Sequence, residues 1–228
     1  MQRPDYAGLE KKIGYRFRNR TYLEIALTHS SYANELKKGA ENNERQEFLG
    51  DAVLSIIVSD YLFKGEYMSE GELTKLRALL VCEKSLSEFA KEISLGSYLQ
   101  LGKGEEHTGG SNRPSMLADA FEALIAAIYL DGGIERAREF VLPFAERMLG
   151  SDAGKSFRDY KTLLQEIVQQ NPGESLKYVL VDESGPDHDK RFEVEVHLNS
   201  NVIGRGIGSS KKGAEQRAAR EALALMGQ

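Results

Sequence analysis

The chain has 228 residues, of which 41% are hydrophobic and 29% charged, the composition of an ordinary globular protein. No apolar run approaches the roughly 18 residues that a membrane span needs, and the N-terminus lacks the apolar core of a secretory signal, so we expect a cytoplasmic protein without a membrane anchor. The net charge of −5 argues against a simple nucleic-acid binder, which usually carries a basic excess.

The first two thirds of the sequence predict an all-α domain at residues 1–150. Apolar residues recur three and four positions apart in TYLEIALTH, EFLGDAVLSIIVSDYLF, ELTKLRALLVCEKSLSEFAKEI and SMLADAFEALIAAIYL. Cys82 lies in the apolar run of the third segment, which predicts a small buried residue. Residues 1–152 hold 19 Lys and Arg against 24 Asp and Glu, so the negative charge lies in the first part of the chain.

The remaining residues predict a linker and a second, smaller domain. GSDAGKS, at 150–156, is small and polar, which is typical of a flexible linker, here placed at 151–156. A helix in DYKTLLQEIVQQ, strands in KYVLVDE, RFEVEVHLN and VIGRGIG, and a helix in KKGAEQRAAREALALM follow. We therefore expect an α+β domain at 157–228, with order α-β-β-β-α and both helices on one face of an antiparallel sheet.

Three acids interrupt the stretch NNERQEFLGDAVL. At about 100° per residue, Glu44, Glu47 and Asp51 project from one narrow face of a helix. Two carboxylates about 4 Å apart repel by about 4 kcal/mol at an effective dielectric constant of 20. Such a group needs protons, basic partners or a cation.

A second acidic pair, Asp119 and Glu122, lies three residues apart in an otherwise apolar helix. Each pair can mark the solvent side of its helix, or the two can form a metal site; the apolar residues around the second pair leave little wet surface. Carboxylates without histidine or thiol favour Mg²⁺ or Mn²⁺ over zinc. The chemistry that such ions support is phosphodiester hydrolysis.

These segments resemble the bacterial ribonuclease III family. NERQEFLGD is similar to the family signature, EGELTKLRA and LADAFEALIAAIYLD to its other acidic segments, and the second domain to a double-stranded RNA-binding domain. The resemblance implies a cytoplasmic homodimer that uses Mg²⁺, or Mn²⁺ in its place, to hydrolyse RNA duplexes. The expected products carry 5′-phosphate and 3′-hydroxyl ends with two-nucleotide 3′ overhangs, and the expected substrates are ribosomal precursors and other structured RNAs.

The resemblance also assigns residues in the first domain. It implies four metal ligands, two of which, Asp51 and Glu122, are also expected to be catalytic: Glu47, Asp51, Asp119 and Glu122. Glu44 and Glu70 match additional catalytic acids with substrate or cross-subunit roles, and Phe48 matches an aromatic residue of the dimer interface. Gln46 departs from the family, which more often has leucine there. We expect Gln46 to alter packing without removing a ligand, and His29 to be a structural histidine.

In the second domain, Lys211 and Lys212 fall in the first turn of the last helix, where positive charge opposes the helix dipole unless an anion binds. Ordinary solvated lysines are the alternative. The resemblance implies RNA contacts by Thr162, Gln165, Glu166, His188, Ser210, Lys211 and Lys212. Because Ser209 stands where lysine is common, we expect weaker RNA binding than in more basic relatives.

Three hypotheses remain open at this point. The first is the Mg²⁺-dependent endoribonuclease. The second is a double-stranded RNA-binding regulator that does not cleave, for which the second domain alone would suffice. The third is a helical dimer whose acids face solvent.

Overall fold

A computed structural model describes residues 5–36, 40–65, 68–150, 160–171, 173–186 and 190–227. The chain divides into two compact units, Met1–Phe157 and Arg158–Gln228. The predicted linker at 151–156 and the predicted RNA contact His188 lie outside the described residues. Within the described ranges, no helix is long and apolar enough to cross a membrane.

The first unit is helical, as predicted. Two short 3₁₀ turns, at Leu95–Tyr98 and Gly110–Asn112, accompany the α-helices. Their bounds are α1 Tyr6–Ile13, α2 Thr21–Ala26, α3 Ser30–Glu35, α4 Glu44–Lys64, α5 Glu70–Val81, α6 Glu83–Glu92, α7 Lys103–His107, α8 Pro114–Gly132 and α9 Ile134–Gly150.

Helix α8 lies at the centre of this unit, since 12 of its 19 residues are buried. Phe121 of α8 packs against Phe89 of α6 with 5.9 Å between ring centroids, and against Phe140 and Phe144 of α9 at 5.4 Å each. Burying such rings is among the largest contributions to a core. The few positions of α8 that are not buried are therefore restricted to one side, and Asp119 and Glu122 are among them.

The third predicted helical segment is broken at Cys82. The backbone of Cys82 is extended (φ −75°, ψ 153°), so α5 ends before it and α6 begins after it. Ser85 stabilises the break by donating a hydrogen bond from its hydroxyl to the carbonyl of Leu79 at 2.6 Å. The prediction that Cys82 is buried was wrong, because helical periodicity carried through a corner that exposes its side chain.

Two buried carboxylates hold the loop between α1 and α2. Asp131 accepts hydrogen bonds from the Tyr15 hydroxyl at 2.7 Å and from the backbone N–H groups of Arg18 and Asn19 at 2.9 and 2.8 Å. Glu10 accepts from the N–H of Phe17 at 2.9 Å. Burial raises the pKa of Asp131, but these hydrogen bonds outweigh it and hold the pKa below its usual value.

The second unit has the predicted α-β-β-β-α order. Its elements are α10 Tyr160–Gln169, β1 Leu176–Ser184, β2 Arg191–Leu198, β3 Asn201–Gly208 and α11 Lys211–Leu225. The strands form an antiparallel sheet in the order β1-β2-β3. Val194 and Val196 of β2 are buried against α10 and α11, while Glu195 and His197 lie on the other face, so the predicted fold class is confirmed.

Alternate glycines in β3 allow α11 to lie directly on the sheet. A Cβ built on Gly206 would fall 2.2 Å from the carbonyl oxygen of Ala214, and one on Gly204 would fall 2.4 Å from that of Ala218. No side chain fits these gaps, so glycine on the strand and alanine on the helix are both required for this close packing.

Candidate active site and RNA-binding surface

The predicted metal ligands meet where α4 crosses α8. A Cβ built on Gly50 would fall 1.9 Å from the carbonyl oxygen of Glu122, so the two backbones touch. Glu47 and Asp51 flank Gly50 in α4. This contact therefore gathers four carboxylates, hereafter the acidic cluster, at one crossing: Glu47, Asp51, Asp119 and Glu122.

The carboxylates of the acidic cluster interact electrostatically. Burial, followed by the negative charges of Asp51, Glu47 and Asp119, raises the pKa of Glu122 to about 8. Burial also raises the pKa of Glu47, with further contributions from Asp119 and Glu44. Each of these carboxylates therefore makes it harder for its neighbours to ionise.

The only basic side chain among the described residues that acts on this charge is His29, which opposes the rise in the pKa of Asp119. Within those ranges, no Lys or Arg forms an ion pair with any carboxylate of the acidic cluster. The described side chains also include no group of three or more His, Cys, Asp or Glu arranged tightly enough to hold a metal ion. The four carboxylates therefore lie near one another, but their side chains do not form a geometry that is ready to hold a metal ion. The ligand assignment stays a prediction.

The donor set of the cluster fits a hard divalent cation. It consists of carboxylate oxygens, the ligands that Mg²⁺ and Mn²⁺ prefer. A cation would also favour the ionised form of Glu122, whose pKa is raised in its absence. The residues present are therefore compatible with the predicted metal.

The two additional acids lie in different places. Glu44 is the first residue of α4, is exposed, and lies close enough to Glu47 to raise its pKa. Glu70 is the first residue of α5 and accepts a hydrogen bond from Thr74 at 2.9 Å. Glu70 lines a groove of about 430 Å³ between α4 and α5, together with Ile56, Ser59, Asp60, Leu62, Phe63, Leu73, Thr74 and Arg77.

Helix α4 exposes an apolar face beside its acidic one. The exposed fractions are 82% for Phe48, 58% for Ile56 and 79% for Phe63. These three side chains, hereafter the apolar face, lie within about 80° of one another around the helix. Ile56 and Phe63 also line the groove that contains Glu70. An isolated subunit would leave this surface in water.

Three residues near the cluster show what the sequence could and could not reveal. Burial raises the pKa of Asp119, and the charge of Glu83, the first residue of α6, adds to this rise. Glu83 was not predicted, because only the packing of α6 on α8 brings it there. His29 has the predicted structural role: its Nδ1 caps α3 by accepting from the N–H of Ser31 at 3.2 Å. Gln46 is buried and donates to the carbonyl of Tyr22 at 3.2 Å, but no described donor reaches its Oε1.

The predicted RNA contacts of the second unit lie on its two helices. Thr162, Gln165 and Glu166 follow one another around one side of α10, and the last two are exposed. Ser210 caps α11 by accepting from the N–H of Gly213 at 3.1 Å, which places Lys211 and Lys212 at the start of that helix. Both lysines are exposed. Lys211 already has a partner, since its Nζ lies 3.4 Å from the carboxylate of Glu183.

Comparison with known proteins decides the family. Residues 19–147 match the family model described as ribonuclease-III-like, and residues 160–226 match the double-stranded RNA binding motif. The chain is 51% identical over 221 residues to ribonuclease 3 of Caldanaerobacter subterraneus subsp. tengcongensis, covering 96% of this chain and 97% of that protein. The chain belongs to the ribonuclease III family.

Two further ribonuclease III proteins support this family assignment. Ribonuclease 3 of Clostridium tetani is 50% identical over 224 residues, 97% of this chain and 95% of that protein. The solved nuclease domain of ribonuclease III from Campylobacter jejuni is 44% identical and matches with a TM-score of 0.58, covering 63% of this chain and 97% of that domain. That structure concerns flexibility in the region involved in dimer formation of that protein.

The ribonuclease III assignment confirms the predicted family and the predicted enzyme class, an endoribonuclease with a double-stranded RNA-binding motif. The matched nuclease region contains the acidic cluster together with Glu44, Glu70 and Phe48. The matched RNA-binding motif contains Lys211 and Lys212. The individual roles of these residues remain predictions.

Proposed function

We propose that this ribonuclease III hydrolyses phosphodiester bonds of double-stranded RNA with Mg²⁺, held by the acidic cluster. The observation that carries the proposal is the contact between Gly50 and Glu122, which gathers four carboxylates that no described Lys or Arg neutralises. Mn²⁺ has the same preference for carboxylate oxygens and is expected to substitute. The proposed products carry 5′-phosphate and 3′-hydroxyl ends.

Each part of the site has a proposed task. A bound Mg²⁺ supplies an activated water and takes up charge on the leaving oxygen. Glu47, Asp119 and Glu122, which are partly buried, and Asp51, which is exposed, would hold the cation from the two helices. Burial and the neighbouring carboxylates favour the protonated form of Glu122 near neutral pH, and a bound cation would favour its ionised form. Glu44 borders the site at the start of α4 and is assigned to substrate.

The active form is proposed to be a homodimer that uses the apolar face. Phe48, Ile56 and Phe63 form a surface of the kind that subunit interfaces bury, and the neighbouring groove offers a cavity for partner side chains. Glu70 lines this groove, which supports its assignment to a cross-subunit role. Two subunits then supply two sites, one for each strand of the duplex, and staggered cuts leave the two-nucleotide 3′ overhangs.

The second unit is proposed to hold the duplex by its shape. Duplex RNA presents 2′-hydroxyls in a shallow minor groove and hides most base edges in a deep major groove. Thr162, Gln165 and Glu166 are assigned to the minor groove, as is His188. Ser210, Lys211 and Lys212 are assigned to phosphates. This assignment requires only a local group of basic residues to contact the RNA backbone. We place the reaction in the cytoplasm, on precursors of ribosomal, messenger and transfer RNA.

Product analysis tests the proposal. The full chain is incubated with a long RNA duplex and MgCl₂, and the product ends are mapped. We expect staggered, 5′-phosphorylated fragments with wild type and with Glu88→Gln, an exposed acid of α6 that serves as control. EDTA or Glu122→Gln should abolish cleavage. A duplex that is bound but left intact by wild type would favour the non-cleaving RNA-binding regulator instead.

A further inference from the structure

Glu183, at the end of β1, links two lysines of the second unit. Its Oε2 lies 3.4 Å from Nζ of Lys211, and its Oε1 accepts a hydrogen bond from Nζ of Lys190 at 3.2 Å. Lys211 also lies over the ring of Phe192, 5.6 Å from its centroid. Phe192 pairs with Glu183 across the strands β1 and β2. Glu183 therefore sits opposite the first residue of α11 in a position fixed by the sheet.

This arrangement resembles the way a phosphate would be held. An anionic group contributes one oxygen to each of two ammonium groups, and one of those ammonium groups belongs to the N-terminal turn of a helix. The two lysines hold the pKa of Glu183 below its usual value, the hydrogen bond from Lys190 contributing most. Glu183 thus remains an anion under the conditions in which RNA would bind.

Lys211 cannot pair fully with both Glu183 and an RNA phosphate at the same time. An RNA phosphate brought to Lys211 would lie near the carboxylate of Glu183, and two anions at that spacing repel each other. Lys211 is 60% exposed and Glu183 38% exposed in their side chains, so water and salt screen the pair, which can open at low cost. The need to open this ion pair therefore weakens RNA binding but does not prevent it.

We propose that Glu183 is an internal competitor for the phosphate position at Lys211, and that it sets an upper limit on the affinity of this unit for duplex RNA. The inference rests on the proposed assignment of Lys211 to phosphate. It identifies Glu183 as a residue that weakens binding, separately from the predicted effect of Ser209. Removing its charge releases Lys211 for RNA without adding any new contact.

Binding measurements on the full chain test this competition. A fluorescently labelled 24-base-pair RNA duplex is titrated with protein in EDTA, so that no cleavage occurs, and Kd is determined by anisotropy at several salt concentrations. The variants are Glu183→Gln, Lys211→Met and the double variant. Glu174→Gln is the matched control, because it removes the same charge from an exposed carboxylate of the same unit that accepts a hydrogen bond from Asn171.

We expect Glu183→Gln to bind about threefold more tightly than Glu174→Gln, within the up to about fivefold change that an exposed ion pair can produce. The slope of log K against log salt should become steeper by an amount that corresponds to the release of up to about one more ion, because the bound complex no longer retains a cation near Glu183. In the Lys211→Met background, Glu183→Gln should lower the Kd for duplex RNA no more than Glu174→Gln does. Melting temperatures of all variants verify that the unit stays folded.

Two results would overturn the inference alone. Equal affinities of Glu183→Gln and Glu174→Gln would show that Glu183 does not compete, and weaker binding by Glu183→Gln would show that it orients Lys211 for RNA instead. A different result would overturn the assignment beneath it as well: if Lys211→Met bound duplex as tightly as wild type, Lys211 would not contact phosphate and Glu183 would have nothing to compete for.

Discussion

Gly50 of α4 lies so close to Glu122 of α8 that a Cβ on the glycine would fall 1.9 Å from the carbonyl oxygen of the glutamate. The neighbours of Gly50 on α4 include Glu47 and Asp51, which the proposed metal site requires to face Glu122. The absence of a side chain at one position therefore sets the separation of the helices that carry the acidic cluster.

A methyl group at Gly50 should damage both the fold and the site. Gly50→Ala forces the helices apart, and overpacking of this kind costs roughly 1–3 kcal/mol of unfolding free energy. The matched control is Gly71→Ala in the first turn of α5, where an added Cβ meets nothing within 4 Å, so this variant should be no less stable than wild type. Denaturant unfolding measures both. Equal stabilities of the two variants would show that the helices can accommodate a side chain at Gly50.

The pKa of Glu122 predicts a pH dependence of stability in the metal-free protein. Burial and the neighbouring carboxylates raise this pKa from 4.5 to about 8 in the folded state, so the folded protein holds a proton that the unfolded chain loses. The stability that this proton provides is complete below pH 4.5 and is lost as the pH rises through 8. In EDTA, the Tm of wild type should fall between pH 5 and 8.5 more steeply than that of Glu122→Gln. Parallel curves would contradict the raised pKa.

A substitution of Asp131 should lower the stability of the first unit without changing the acidic cluster. Asp131→Asn weakens the hydrogen bonds that hold the loop between α1 and α2, and disturbing a buried charged acceptor costs about 1.5–3 kcal/mol. Because the folded pKa of Asp131 is lowered, its contribution is present above the unfolded pKa and is lost as the pH falls through the folded pKa. The difference in Tm between wild type and Asp131→Asn should therefore be larger at pH 7 than at pH 3. Tyr15→Phe, which removes one bond, should lose about 1 kcal/mol.

The apolar face of α4 predicts a change in assembly. Phe48→Glu places a charge on the surface that the proposed dimer buries, so the variant should sediment as a monomer where wild type sediments as a dimer. Leu130→Glu, at an exposed apolar position on α8, is the control and should remain dimeric. Analytical ultracentrifugation measures both. A wild-type monomer, or a dimeric Phe48→Glu, would contradict the proposed interface.

Sequence periodicity located the acids of α4 and α8 because three- and four-residue spacings survive in any helix. It could not locate Glu83, since its effect on Asp119 depends on how α6 packs on α8. It also gave no role to Gly50 or Gly206, whose function is a close approach between distant segments. Cys82 was placed in a core by a pattern that does not register a break in the backbone. The separations that matter to the site thus come from tertiary contacts.

The central claim, that the acidic cluster binds a hard cation, is tested most directly by titrating the protein with Mn²⁺ and following the free ion by electron paramagnetic resonance. We expect wild type and Glu88→Gln to remove Mn²⁺ from solution and Mg²⁺ to displace it. Asp119→Asn and Glu122→Gln should bind at least tenfold more weakly, because even the loss of an outer-shell partner of a metal ligand typically weakens binding by about 10- to 100-fold. Unchanged Mn²⁺ binding in Asp119→Asn and Glu122→Gln, or its absence in wild type, would contradict the account.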